Sequence, residues 1–187
     1  MRVSKEQAAE NRTRILTETA RMIRESGISG VGVDALTKAA GLTHGSLYSQ
    51  FGSKDRLLAE ALAQAMEISG EKTRKELAAG ATLATIAARY LSPTHRDAPG
   101  SGCALAAIGP EAARQCEGVR RAFTQGVERF ADRVASITPA DGKQPPEDAA
   151  LASIATMVGA MILARAVDDP ALSDRILSAS AERVAQA

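Results

Sequence analysis

Residues 41–54 read GLTHGSLYSQFGSK. Thr43, His44, Ser46, Tyr48, Ser49 and Gln50 all carry side chains that donate or accept hydrogen bonds. Tyr48 and Phe51 are two of only five aromatic residues in a chain of 187. Such a stretch suits a catalytic loop, a glycine-lined phosphate cradle, or a helix face that touches phosphates and base edges. Catalysis finds little support. The two histidines and two cysteines have no acidic partner at a telling spacing, so neither a nucleophilic triad nor a metal set emerges. The glycines of GISGVG, residues 27–32, follow no strand and make no dinucleotide fingerprint. No enzyme, metal or cofactor is expected.

The contact reading needs elements that hold the stretch outward. Residues 5–26 place Ile15, Leu16, Thr19 and Ile23 on one helical face, with Arg12, Arg14, Arg21 and Arg24 off it. Gly27 and Gly30 punctuate the end of that helix. VDALTKAA, 33–40, is a short helix stopped by Gly41. THGSLYSQF, 43–51, is a third, with Thr43 as a candidate N-cap and Leu47 and Phe51 four apart on its inner side. A longer helix runs from about Lys54 to Leu77 on a stripe of Leu57, Leu58, Ala61, Leu62 and Ala65. Two short helices joined by AGLT form a helix-turn-helix candidate, a motif whose second helix lies in the DNA major groove. Gly45 would allow close backbone approach, and Lys54 would reach a phosphate.

These residues also carry a family resemblance. GVDALTKAAGLTHGSLYSQFGSKDRLLAEAL, 32–62, closely resembles the DNA-binding region of the TetR family of bacterial transcriptional repressors. The preceding helix, with RTRIL near its start, is in keeping. The resemblance covers the first third of the chain; the remainder is similar only in helical content, length and order. It implies an all-α chain, with a three-helix helix-turn-helix domain over 1–53 and a helical regulatory and dimerisation domain over 54–187. It implies that Thr43, His44 and Gly45 face bases, that Tyr48 meets the groove or a phosphate, and that Ser46 and Lys54 meet phosphates. Val33 and Asp34 would lie near the DNA. The family usually has Thr or Ser where this chain has Gly32, which can cap a helix but offers no hydroxyl to a phosphate.

Alanine, leucine and arginine dominate the composition and favour helix over sheet. Net charge is +1, unevenly spread: residues 1–75 hold 12 Lys/Arg against 9 Asp/Glu, and residues 76–187 hold 11 against 13. The mildly basic end is a weak sign of an anionic partner there. Cys103 and Cys116 fit no disulfide or zinc spacing. The polar start has no secretory character. The apolar run 149–164 is shorter than the ~20 residues of a membrane span and reads as a buried helix. A cytoplasmic protein without a membrane partner is expected.

Farther along, residues 82–91 form a helix ending before Pro93, and 92–102 read as a loop. CALAAI is a short helix broken at Gly109-Pro110, with Pro110 opening the next helix to about Ile137. Val119, Phe123, Val127, Phe130 and Val134 give that helix an amphipathic period. A loop over 138–148 precedes helices near 147–167 and 171–186. Leu151, Ile154, Ala155, Val158 and Ile162, with Leu172 and Ile176, form stripes that serve as core or as a dimer surface. The resemblance implies a homodimer through a four-helix bundle, a palindromic double-stranded operator, and a pocket for a small-molecule effector among the middle helices. Tyr90, Cys103, Phe123, Phe130, Met157 and Met161 are its candidate lining, or ordinary core.

Cys103 follows HRDAPGSG and begins a helix, where the helix terminus and His95 and Arg96 nearby would favour thiolate. Some TetR-like repressors sense electrophiles or oxidants through a cysteine in this part of the chain. Cys116, expected inside the amphipathic helix, is then a resolving partner or simply core. The leading expectation is an effector-released repressor. A thiol sensor of the same fold and an activator are the alternatives, since one reading head serves both directions of control.

Overall fold

The computed structural model describes residues 5–41, 43–138 and 144–186. Leu42 of the AGLT turn and residues 139–143 of the expected loop lie outside them. Ten α-helices and one 3-10 turn follow among the described residues, with no strand. The first four are α1 (Lys5–Ser26), α2 (Val33–Ala40), α3 (His44–Phe51) and α4 (Lys54–Ala78). The rest are α5 (Leu83–Tyr90), α6 (Pro93–Asp97), the 3-10 turn Pro99–Ser101, α7 (Ala104–Ala112), α8 (Glu117–Ala135), α9 (Pro146–Ala166) and α10 (Pro170–Ala185).

Side-chain caps start many of these helices. Thr43, Ser53, Thr82 and Ser92 each accept a backbone N–H from the third residue onward, at 3.1–3.3 Å. Asp169 accepts from Ala171 and Leu172 at 2.9 and 3.2 Å. Gly41 closes α2 with φ 65°, a left-handed conformation that glycine adopts without strain. Gly32 precedes α2 with no side-chain cap, as its missing hydroxyl dictates.

Ile15, Thr19, Ala20 and Ile23 bury one face of α1, which packs on α4 and α2. The long α4 lies along α8, and α9 is sandwiched between α8 and α10. One continuous core runs from the inner faces of α1–α4 through Tyr90, Ile108, Phe130 and Met157 to Leu177 and Val184.

Three boundaries differ from the sequence expectation. Residues 92–102 are not a plain loop: Ser92 caps α6 with Pro93 in its first turn, and the 3-10 turn follows. Gly109-Pro110 does not break the chain either. Pro110 lies inside α7, which stops two residues later, so the missing N–H falls in the last turn. Cys116 is consequently the residue preceding α8, not a position within it. The apolar run near 149–164 belongs to a 21-residue helix that by length and composition is sufficient to cross a bilayer. Here Ala150, Ile154, Met157, Met161 and Ala164 bury one side of it in the core.

Candidate nucleic-acid interface

Leu47 and Phe51 are each 1% exposed and fasten α3 to the body of its domain. Arg12, on α1, secures the far end of α3 three ways. Its guanidinium lies 4.3 Å from the centre of the Phe51 ring, donates to the Gln50 carbonyl at 2.9 Å, and pairs with Glu60 of α4. The sequence reading left Arg12 on the outer face. Its partners are 38 to 48 residues away and give no local signal.

That anchoring turns the polar side of α3 outward. Thr43, His44, Gly45, Tyr48 and Ser49 are exposed, and Ser46 is half-buried. Tyr48, at 48% exposure, is a large side chain the domain leaves uncovered. Lys54, at the start of α4, is half-buried; Asp34, in the first turn of α2, is almost fully exposed, and Val33 packs against the core. His44 Nε2 lies 2.6 Å from Asp34 Oδ1, so the two helices of the motif are joined at their outer rims. A Cβ added at Gly45 would meet nothing closer than Thr43 Oγ1 at 3.9 Å. The fold therefore has room for a side chain there, and no internal packing demands a glycine.

The second region is a cavity of about 230 Å³ among α4, α5, α7, α8 and the 92–103 segment. Tyr90, Cys103 and Phe130 line it, with Met66, Lys72, Arg89 and Arg133. Phe123, Met157 and Met161 are not in its wall. Phe123 sits against Gly109, and the two methionines are wholly buried in the core. The wall is built on His95. Its Nδ1–H donates to the Tyr90 carbonyl at 2.6 Å, and its Nε2 accepts the Cys103 backbone N–H at 2.9 Å. Those partners fix the neutral tautomer, and burial lowers the imidazole pKa from its ordinary 6.5. Gly102 leaves the space: a Cβ there would fall 2.9 Å from His95 Nε2.

Cys103 thus stands at the start of α7 beside a histidine that is neutral and already committed. Arg96 is turned away, paired with Asp97 and Asp174 at 2.7 and 2.6 Å. The cations whose charges bear on Cys103 are instead Arg24 and Arg165. Both cysteines are free thiols.

Two contacts tie this region to the helix-turn-helix. Arg24 of α1 donates to the Gly100 carbonyl at 2.7 Å, and Glu111 of α7 accepts the Ser29 N–H at 3.2 Å. In the last two helices, Leu151, Ala155 and Leu163 of α9 and Leu172 of α10 are exposed, and Val158, Ile162 and Ile176 are half-buried. Ile154, expected on the same stripe, is in the core. Leu163, 57% exposed, belongs to the outer face and was not anticipated.

Residues 15–61 match the family model described as bacterial regulatory proteins, tetR family. The fold is similar to that of the reduced form of E. coli NemR, at 20% identity and a TM-score of 0.80, covering 94% of this chain and 95% of that one. It is also similar to a TetR-family transcriptional regulator from Cytophaga hutchinsonii, at 22% identity and 0.79, covering 100% and 98%. A third, from Agrobacterium tumefaciens, shares 19% identity at 0.79 over 94% and 98%. At these identities the likeness is one of fold. No curated protein sequence matches significantly. The family match is thus centred on the helix-turn-helix, residues 15–61, and the rest of the chain shares the all-helical fold of the TetR-family regulators above.

Proposed function

We propose that the protein is a cytoplasmic, effector-released transcriptional repressor that binds a palindromic operator as a homodimer. Residues 1–53 read the DNA, and residues 54–187 dimerise and bind the effector. The observation that carries this reading is α3: two buried anchors and an exposed row of Thr43, His44, Gly45, Tyr48 and Ser49, inside the family-matched segment. One such helix reads only a few base pairs, so a two-fold pair doubles the site. The outer face of α9 and α10, bearing Leu151, Leu163 and Leu172, is the surface we assign to that pairing. The cavity is the effector site, and an effector that favours one spacing of the reading heads biases operator binding.

The test is direct. An inverted repeat in the DNA beside the gene is bound by the purified protein with salt-sensitive affinity, and a reporter on that promoter rises when the gene is deleted. A reporter that falls makes the protein an activator. Absence of salt-dependent binding to any neighbouring DNA overturns the reading altogether.

A second reading is favoured by Cys103, which lines the cavity wall at the start of α7 near Arg24 and Arg165. In that case the effector is an electrophile such as a quinone: the Cys103 sulfur adds to a ring carbon, and the thiol proton passes to the quinone oxygen. A quinone then weakens operator binding by the wild type and leaves Cys103→Ser unaffected. Equal responses of the two proteins eliminate it.

A further inference from the structure

We infer that the cavity takes a small organic anion, a carboxylate on an aromatic or short apolar body, with Arg133 and Lys72 meeting the charge. This rests on the effector-site reading above and gives that site a ligand class. Three residues of the wall are cationic, Lys72, Arg89 and Arg133, and among the described residues none of the wall is acidic. Arg89 is offset by Glu76 at 3.0 Å. Lys72 and Arg133 have no ion pair among the described residues. The carboxylate nearest in influence to Arg133, Glu67, is already held by Arg74 at 2.8 Å, and Arg74 and Arg129 add like charge.

Arg133 is not merely a surface cation. Its Nε is buried with no hydrogen-bond partner, and its guanidinium lies against Gly70, where an added Cβ would come within 3.0 Å of Cζ. Burial pulls its pKa down, a cost that an anion placed beside it removes. The second unspent group is Tyr90. The residue is 3% exposed, and its hydroxyl makes no well-formed hydrogen bond. Burial drives its pKa well up, with Cys103 beside it as the next cause, so the hydroxyl keeps its proton as a donor. A buried donor whose one neighbouring acceptor is a thiol sulfur, a weak acceptor, leaves bonding that a ligand oxygen completes.

The remaining wall fixes the body of the ligand. The Tyr90 and Phe130 rings stack with centroids 6.1 Å apart, and Met66 and Leu105 add apolar surface. The volume, about 230 Å³, is below the roughly 300–1,000 Å³ of drug-sized sites, which suits one ring or a short chain.

The test is calorimetric titration of the full-length protein without DNA, using benzoate, phenylacetate and hexanoate against benzamide and inorganic phosphate. At least one carboxylate binds, and benzamide binds about tenfold more weakly or worse. Arg133→Gln and Lys72→Gln both weaken the carboxylate, Arg133→Lys restores part of the loss, and Arg114→Gln, at an exposed residue just past α7 and outside the wall, changes nothing. Thermal melts confirm that each variant is folded. The inference is overturned if benzamide binds as well as benzoate, if phosphate binds as well as any carboxylate, or if none of the three binds at about 10 mM. Operator binding by the same preparations is scored separately. Its loss would sink the regulator reading, whereas a failed titration with operator binding intact removes only the anion.

Discussion

Arg24 Nε donates to the Gly100 carbonyl at 2.7 Å, so α1 of the helix-turn-helix domain is bonded to the segment that walls the cavity. Removing the guanidinium leaves a part-buried carbonyl unpaired. Arg24→Ala should cost about 1–3 kcal/mol in urea unfolding. Amide exchange over residues 98–103 should accelerate more than exchange in α9. An unchanged exchange pattern would show that the bond braces nothing.

His44 and Asp34 are joined across the motif at 2.6 Å, so base preference should depend on both. His44→Ala and Asp34→Ala should each relax selectivity at the same operator positions. The double variant should lose no more than the larger single loss, the non-additivity of a shared contact. Lys54→Ala should weaken all sequences about equally and reduce the salt slope by about one. An unaltered slope would remove its phosphate role.

Gly45 and Gly32 offer a contrast between folding and binding. Neither has a close neighbour where a Cβ would stand. Gly45→Ala should stabilise α3 by about 0.5–1 kcal/mol, yet weaken operator binding by keeping the backbone off the groove. Gly32→Ser should add a cap worth a few tenths of a kcal/mol and strengthen DNA binding by supplying a hydroxyl to a phosphate. Melting temperature and operator affinity, measured together, check both.

His95 sets an acid limit. Its folded pKa is lowered by burial, so below about 6.5 the unfolded chain takes up a proton that the folded chain resists. Stability from this residue is complete above the unfolded value and declines as pH falls from 6.5 toward the lowered folded value. A proton on Nε2 would also face the Cys103 N–H, donor against donor. Wild type should lose stability between pH 7 and 5, and His95→Gln should flatten that slope. Equal slopes would remove His95 as the cause.

Leu163 is the most exposed large hydrophobic residue of the α9–α10 face. Leu163→Glu should shift the protein toward monomer in sedimentation and weaken binding to a full palindrome far more than to a half-site. A dimer that survives the substitution would move the pairing surface elsewhere.

The helix-turn-helix was legible because its signals are local. Thr43 caps, Gly41 turns, and Leu47 and Phe51 repeat at four, all within eleven residues of sequence. The cavity was only partly legible. Of the expected lining, Tyr90, Cys103 and Phe130 stand in the wall, and Phe123, Met157 and Met161 face other parts of the core. The sequence reading passed over Arg133, half-buried, and Lys72, which lines the cavity while staying exposed, because a charge on an amphipathic helix gives no sequence sign of what it borders. The exposed face of α9 and α10 was blurred for a different reason. α9 is apolar nearly all round, so periodicity gave no side to choose, and Ile154 and Leu163 exchanged places.

Gly70 and Gly126 lend the cavity its width without presenting a side chain to anything inside it. Arg133 lies over the first, and Met66 fills the space beside the second, where a Cβ would come within 2.9 Å of its Cγ. A single methyl at either position would press a wall residue inward. Calibre alone is thus set at Gly126, whereas a methyl at Gly70 would move Arg133 and alter width and charge together.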